Sequence, residues 1–293
     1  MKKQTEEPTT INKYKILTIV FAIVLLLALA FLARGWMTQK EAQKEYEKLS
    51  SQVNSLQNKL NDNAITIPST DTEDTGVQET TQQAASESSQ IAELGLEVPP
   101  KNLDWKKLNN INADIYAWIY IPGTDIDYPI LQHPTDDTYY LNYNMNGTRG
   151  YPGCIYTELA NRKDFTDFDT VLYGHNMRNN SMFAMLHKYE DREFFENYPY
   201  VYIYTKDRVL VYEIFAAYQT GDAHILHTND FLTDEGRLQY LETIVKYTDD
   251  SAKVRNPVEL SVDSHLLTMS TCVSRQADKR FLVQAVLLNE EDL

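Results

Sequence analysis

The sequence predicts a mostly-β domain, an all-β barrel carrying a few helices, set behind one apolar N-terminal helix. Three observations lead there. Short runs rich in Val, Ile, Tyr and Phe recur from Ile115 to the C-terminus, each stopped by turn residues. Tyrosine is plentiful (20 residues), mostly after position 115, which suits half-buried strand faces. Helical periodicity is confined to a few segments.

Residues 16–33 are apolar and carry no charge, with Lys13 and Lys15 before them and Arg34 after. As a helix they extend roughly 27 Å, close to the hydrocarbon thickness of a bilayer. The small-residue pattern Ala28-Leu29-Ala30 lies inside the run, and the run is longer than a signal-peptide core, so an uncleaved anchor is expected. Lysines and arginines balance across it, and charge leaves its orientation open. Ala42, Tyr46, Leu49, Val53, Leu56 and Leu60 then follow at alternating spacings of four and three, a short heptad seam with weak capacity for self-association. After it the composition turns to Thr, Ser, Gln, Glu and Asp without an aromatic residue, which reads as a flexible spacer. The expected organisation is a cytoplasmic tail (1–15), a transmembrane anchor (16–34), a helical stalk (35–62), a flexible linker (63–93) and a folded domain (94–293).

Within the folded domain, Asp104 can cap a short helix carrying Trp105, Leu108 and Ile111. Ile115 to Ile121 reads as a strand stopped at Pro122-Gly123, and 126–131 as another. Tyr139-Tyr140-Leu141 and Gly153-Cys154-Ile155-Tyr156 continue the extended series. Thr170-Val171-Leu172-Tyr173 is a strand that ends at Gly174-His175-Asn176. Residues 181–189 form a helical pattern with Ser181 available as cap. Two strands flank Lys206-Asp207-Arg208, and 233–247 is a clear helix with a Thr233 cap, early acidic residues, and Leu238, Leu241 and Val245 on one face. Leu266-Leu267-Thr268-Met269-Ser270-Thr271-Cys272 is a strand delivering a cysteine to its end. A polar loop over 273–279 separates it from a final strand opened by Arg280.

The formal net charge of −15 speaks against a nucleic-acid partner, since no broad face can neutralise phosphates. Two cysteines make no disulfide framework; Cys154 and Cys272 could pair in principle, but a free nucleophile plus a buried small residue is the stronger reading. The six histidines are scattered and there is no CxxC, so neither a metal nor a cofactor is expected. If the last two strands pair as a hairpin, Cys272 and Arg280 meet, a thiol beside a guanidinium that favours thiolate and offers donors to an oxyanion. His175, presented at a strand end, supplies the acid–base partner that cysteine acyl transfer requires.

These residues resemble a family. Tyr173-Gly174-His175-Asn176-Met177, Ser181-Met182-Phe183, Thr268-Met269-Ser270-Thr271-Cys272 and the downstream Arg280 look like a sortase. Asn112-Ala113-Asp114-Ile115-Tyr116-Ala117-Trp118-Ile119, then Thr124 to Ile130, and the helix over 233–247 resemble class B. The resemblance spans about Leu103 to the C-terminus and implies an eight-stranded sortase-type β-barrel with N-terminal helices and an extra helix before the last two strands. It implies a cysteine transpeptidase of a Gram-positive cell membrane, single-pass, with its catalytic domain extracellular. Its partners would be surface proteins bearing a C-terminal sorting signal and a peptidoglycan or lipid-linked precursor amine. By position, Cys272 would be the nucleophile, His175 the general acid/base and Arg280 the oxyanion or substrate-positioning group. Leu141, Tyr173, Ser270 and Thr271 would line the substrate groove. Arg178 and Arg275 compete for the arginine role, but Arg280 opens the last strand, where the family places its arginine. Met269 stands where Leu is more usual, a volume-conserving change. A pilin-polymerising sortase and a non-catalytic scaffold of the same fold are the alternatives.

Overall fold

The computed structural model describes residues 11–62, 91, 93–246, 252–255 and 258–289, without the side chains of 11–14, 54–62, 245 and 246. Leu56, Leu60 and Val245 as packing residues, most of the linker over 63–93 and the start of the tail lie outside that description.

Eight strands close on themselves. β1 (Ile115–Tyr120) pairs antiparallel with β2 (Asp127–Leu131), and β2 pairs parallel with β3 (Ile155–Tyr156). β3 meets β4 (Asp169–Tyr173), which runs parallel to β8 (Leu266–Val273). β8 turns into β9 (Gln276–Leu287), β9 pairs with β6 (Val209–Gly221), and β6 pairs with β5 (Tyr200–Tyr204), which returns to β1. The two-residue β7 (Lys253–Val254) adds to the flank of β6 outside this ring. The expected eight-stranded barrel is therefore present. Closure removes the unpaired edges that an open sheet would expose.

Alternation along the strands builds two cores. On β9, Phe281, Val283, Ala285 and Leu287 face the main core, while Leu282 and Val286 face a second one under a helix. That helix, α6 (Asp234–Lys246), lies between the sixth and seventh strands of the ring, and Thr233 caps it by accepting from Gly236 N at 3.2 Å. Its buried face is Tyr240, Leu241 and Ile244; Leu238, expected there, is 52% exposed. Tyr240 carries a polar function as well. Its hydroxyl and that of Thr268 both donate to Asp169 Oδ2 (2.9 and 3.0 Å), and Gln284 Nε2 donates to both hydroxyls at 2.8 Å. Tyr218 Oη donates to Gln284 Oε1 at 2.7 Å. The network ties β4, β6, β8, β9 and α6 together through groups that would be costly to bury unpaired.

Three local expectations change. Tyr139–Asn142 is a single helical turn, α3, rather than an extended run. Residues 183–190 form a 3₁₀ helix (Phe183–Glu190) preceded by Met182 at φ 55°, so Ser181 is not its cap, and α4 (Arg192–Asn197) follows it. The polar loop expected over 273–279 shrinks to a turn at Ser274 and Arg275, and β9 begins at Gln276. The helix capped by Asp104, α2 (Trp105–Ile111), forms as expected, with Lys107 N donating to Asp104 Oδ1 at 2.9 Å.

The N-terminal apolar run lies within one long helix, α1 (Ile11–Asp62), whose large apolar side chains from Ile16 to Met37 are exposed. It is long and apolar enough to cross a bilayer. Beyond it the heptad seam does not stand free. Ala42, Tyr46, Leu49 and Val53 are 2–6% exposed, the last three within the main core. The seam that offered a weak capacity for self-association is thus covered by the chain's own barrel. Tyr46 Oη donates to Gly153 O at 2.8 Å, accepts from Met145 N at 3.3 Å, and lies 3.1 Å from Cys154 Sγ. Burial pushes the Cys154 thiol up to about 12, which makes it a packed small residue. Asp127 adds a second clasp. It accepts from Ser50 Oγ of α1 (2.9 Å), Trp118 Nε1 (2.7 Å) and Lys101 Nζ (2.7 Å), so one buried carboxylate joins α1, β1 and the segment before α2.

Tyr46→Ala in the full chain is expected to lower stability by about 3 kcal/mol, and Tyr46→Phe by about 1 kcal/mol. Denaturant melts in detergent check this; unchanged midpoints in both would mean that α1 does not hold the barrel. A second expectation concerns pH. Burial raises the Asp169 carboxyl from the ordinary range to about 7, so the folded chain keeps a proton that the unfolded chain releases near pH 4. This contribution to stability is full below about pH 4 and is lost as pH rises toward 7. Asp169→Asn should therefore gain stability on the wild type as pH rises from 4 to 7. Parallel pH profiles of the two proteins would contradict it.

Candidate active site

Register places the chemistry. β4 and β8 run parallel with Tyr173 opposite Ser270, so His175 and Cys272, each two residues further on, lie at the same end of the sheet. A parallel pair of this kind is buried on both faces, and residues 169–172 and 266–271 are buried throughout. Cys272 is the one exposed position of β8. Thr271 Oγ1 donates to Gly174 O at 2.9 Å and Gly174 N to Ser270 O at 3.2 Å, which ties the two strand ends together.

The β8–β9 hairpin supplies the third group. Val273 pairs with Gln276, so a regular ladder would set Ala277 opposite Cys272. An irregularity at this point slides β9 by three residues and sets Arg280 there instead. Arg280 Nη1 donates to Ala277 O (2.9 Å) and Lys279 O (3.0 Å), so the guanidinium braces the bulge that positions it. Its fork carries further N–H donors for the cleft.

His175 sits where only glycines fit on either side. A Cβ on Gly174 would lie 2.5 Å from Ile155 Cδ1 and 2.7 Å from Phe183 Cγ. Gly153, at φ 66°, packs against the ring, and a Cβ there would lie 2.7 Å from Tyr140 O. Tyr151 meets the ring edge-on with centroids 4.9 Å apart. His175 Nε2 hydrogen-bonds Leu141 O at 2.8 Å, which assigns the proton of the neutral ring to Nε2 and leaves the lone pair on Nδ1. Burial holds the imidazole below its ordinary value, partly offset by this carbonyl.

Cys272, His175 and Arg280 line one cleft of about 420 Å³. Leu141, Tyr173, Ser270 and Thr271 line it too, although the Thr271 hydroxyl is engaged in the strand tether. Arg178 and Arg275 do not line it; Arg275 is exposed in the turn at φ 63°. Sequence reasoning missed what holds the Cys272 backbone. Asn176 Nδ2 donates to Cys272 O at 2.8 Å and lies 3.0 Å from His187 Nε2. His187 stacks on Phe281 (4.8 Å) and contacts Glu190 Oε1 through Nδ1 at 2.8 Å. Asn176 was visible in the motif, but nothing local pointed to His187. The expectation of scattered histidines also changes, because His224 and His227 converge with Glu158 in a group with metal-ligating potential.

The description "Sortase domain" matches residues 119–288, more than half of the chain. The chain belongs to the sortase family. The sortase B of Listeria monocytogenes is 33% identical over 193 residues, covering 63% of this chain and 74% of that protein. The sortase B of Staphylococcus aureus is 28% identical over 186 residues, with the same coverage. The crystal structure of Clostridium perfringens sortase B superposes with a TM-score of 0.56 at 31% identity, covering 62% of this chain and 98% of that one. This sortase is accordingly a cysteine transpeptidase whose relatives are of class B. The likeness takes in the closed barrel that carries the cleft.

Because Gly174 has no room for a methyl group, Gly174→Ala should displace His175. A stability loss of about 1–3 kcal/mol is expected, with transfer activity falling well beyond what the unfolded fraction accounts for. Wild-type activity per folded molecule would show that the His175 position is not set by this packing.

Proposed function

We propose that this sortase cleaves a C-terminal sorting signal through a thioacyl-enzyme on Cys272 and transfers the surface protein to an amine of peptidoglycan or its lipid-linked precursor. The register that sets Cys272 opposite Arg280 and level with His175 is the observation that carries this reading. His175, neutral at rest, takes the thiol proton on its lone pair as Cys272 Sγ adds to the scissile carbonyl. The tetrahedral oxyanion develops beside the Arg280 guanidinium. His175 then returns the proton to the leaving amine, and the thioester forms as the peptide C–N bond breaks. In the second half an incoming amine attacks the thioester, His175 accepts its proton, and Cys272 is released. Leu141, Tyr173 and Ser270 form the groove wall beside the acyl chain. The apolar part of α1 anchors the enzyme in the cell membrane as a single pass, with the barrel on the outer side where its substrates lie.

The test is the full chain in detergent with a panel of sorting-signal peptides and candidate amines, read by mass for the adduct and the transfer product. Cys272→Ala should abolish cleavage and transfer while keeping the melting temperature. Arg280→Ala should lose roughly 10²–10³-fold in turnover, as expected for a lost oxyanion donor, and Arg275→Ala should lose little. Cleavage that survives Cys272→Ala would remove the nucleophile assignment, and the reverse order of the arginines would mean the wrong one was chosen. Transfer to a pilin lysine in preference to a cell-wall amine would move the reading to pilus assembly.

A further inference from the structure

One group of side chains at the rim of the cleft, of which Glu158 and His224 line it, has no part in the reaction above. Glu158, just after β3, is only 8% exposed, and its backbone is pinned by Gln132 Nε2 donating to Glu158 O and Asn161 O, both at 2.8 Å. His224 and His227 come from the segment after β6, at the start and within the short turn α5 (Ile225–Thr228). Their rings stack with centroids 3.9 Å apart and planes 9° from parallel. His224 Nε2 lies 2.8 Å from Glu158 Oε2 and 3.1 Å from Oε1, and the aligned hydrogen bond is the one to Oε1. One donor atom from each of the three residues falls within 4.8 Å of the others.

Unsatisfied polar atoms gather at the same place. Among the described residues seven buried side-chain N or O atoms lack a hydrogen-bond partner, and three of them are Glu158 Oε2, His224 Nδ1 and Tyr173 Oη. The Tyr173 ring lies 6.1 Å from that of His224. Burial first, and then the Glu158 charge, raise the Tyr173 phenol above its ordinary range, so it stays neutral beside the carboxylate. A simple ion pair of Glu158 with His224 explains neither the unaligned carboxylate oxygen nor the unpartnered His224 Nδ1.

We propose that Glu158, His224 and His227 bind a divalent transition-metal cation of the Zn²⁺ class at the rim of the Cys272 cleft. Two imidazoles and one carboxylate are a three-ligand set suited to such ions, with a fourth position open to water, whereas Ca²⁺ or Mg²⁺ requires more oxygen donors. Bond lengths near 2.0–2.1 Å put tetrahedral ligands about 3.3 Å apart, close to the His224–Glu158 spacing. An imidazole ligates in the plane of its ring, so His227, exposed on a short turn, has to rotate out of its stack on His224 to reach the same ion. A bound ion clips the segment after β6 to the loop after β3, two elements that both line the cleft. Metal binding does not depend on the transpeptidase steps proposed above.

The test uses the full chain in detergent carrying Cys272→Ala, so that the catalytic thiol cannot take the metal. Titration with Zn²⁺ by calorimetry and with Co²⁺ by visible absorption should give one equivalent, with the ligand-field bands of tetrahedral Co²⁺. Amides over 222–228 should gain protection from hydrogen exchange on addition of Zn²⁺. His227→Ala, at an exposed position that folding does not depend on, should weaken Zn²⁺ at least tenfold, as should Glu158→Gln. Absence of saturable binding would overturn the proposal. So would Zn²⁺ affinity unchanged by His227→Ala, which would place the ion elsewhere.

Discussion

The parallel pairing of β4 with β8 is the constraint on which the site depends. Two strands running in the same direction end at the same edge, so residues equally far past a paired position emerge side by side. Tyr173 opposite Ser270 is sufficient to bring His175 and Cys272 level, although they are far apart in the chain. A parallel pair cannot be closed by a tight turn and needs a long crossover; here β5, β6 and α6 lie in it. The barrel exists in part to make that one pairing possible, and the Asp169–Tyr240–Thr268–Gln284 network binds the crossover back to it.

Arg280 shows a second device. A regular hairpin with a two-residue turn offers Ala277 to Cys272, and the sliding of β9 exchanges an alanine for a guanidinium. Bulges next to functional groups re-aim a side chain at the expense of ladder hydrogen bonds. Here the re-aimed side chain itself donates to the bulge carbonyls, so positioning and bracing are one interaction. The same economy appears at Thr271, where a groove-lining residue also ties the strand ends.

α1 joins the membrane-length helix to the barrel without a break in the described residues. Tyr46, Ser50 and Val53 lie against the domain, through the Gly153 carbonyl, the Asp127 carboxylate and the main core respectively. Gly153 in turn packs against His175, so the helix contacts a residue adjoining the cleft. The heptad spacing correctly marked an apolar stripe, but a stripe does not name its occupant, and the domain surface takes the place that a second copy would have taken.

Local chemistry in the sequence was enough for the strands bounded by Pro122-Gly123 and Gly174, the caps at Asp104 and Thr233, and the long apolar run of α1. These follow from residue types at short spacing, where propensity and periodicity act directly. Long-range pairing decided the rest. The turn at Ser274 and Arg275, the helical Tyr139–Asn142, the exposed Leu238, the hold of Asn176 and His187 on the Cys272 carbonyl, and the meeting of Glu158 with His224 and His227 depend on which strand lies beside which, and in what register. A shift of one residue reverses every face of a strand, and nothing within the strand itself reports the choice. The sequence by itself determined most of the elements and the ends at which Cys272 and His175 sit; the closed barrel decided their neighbours, because only its packing sets the register.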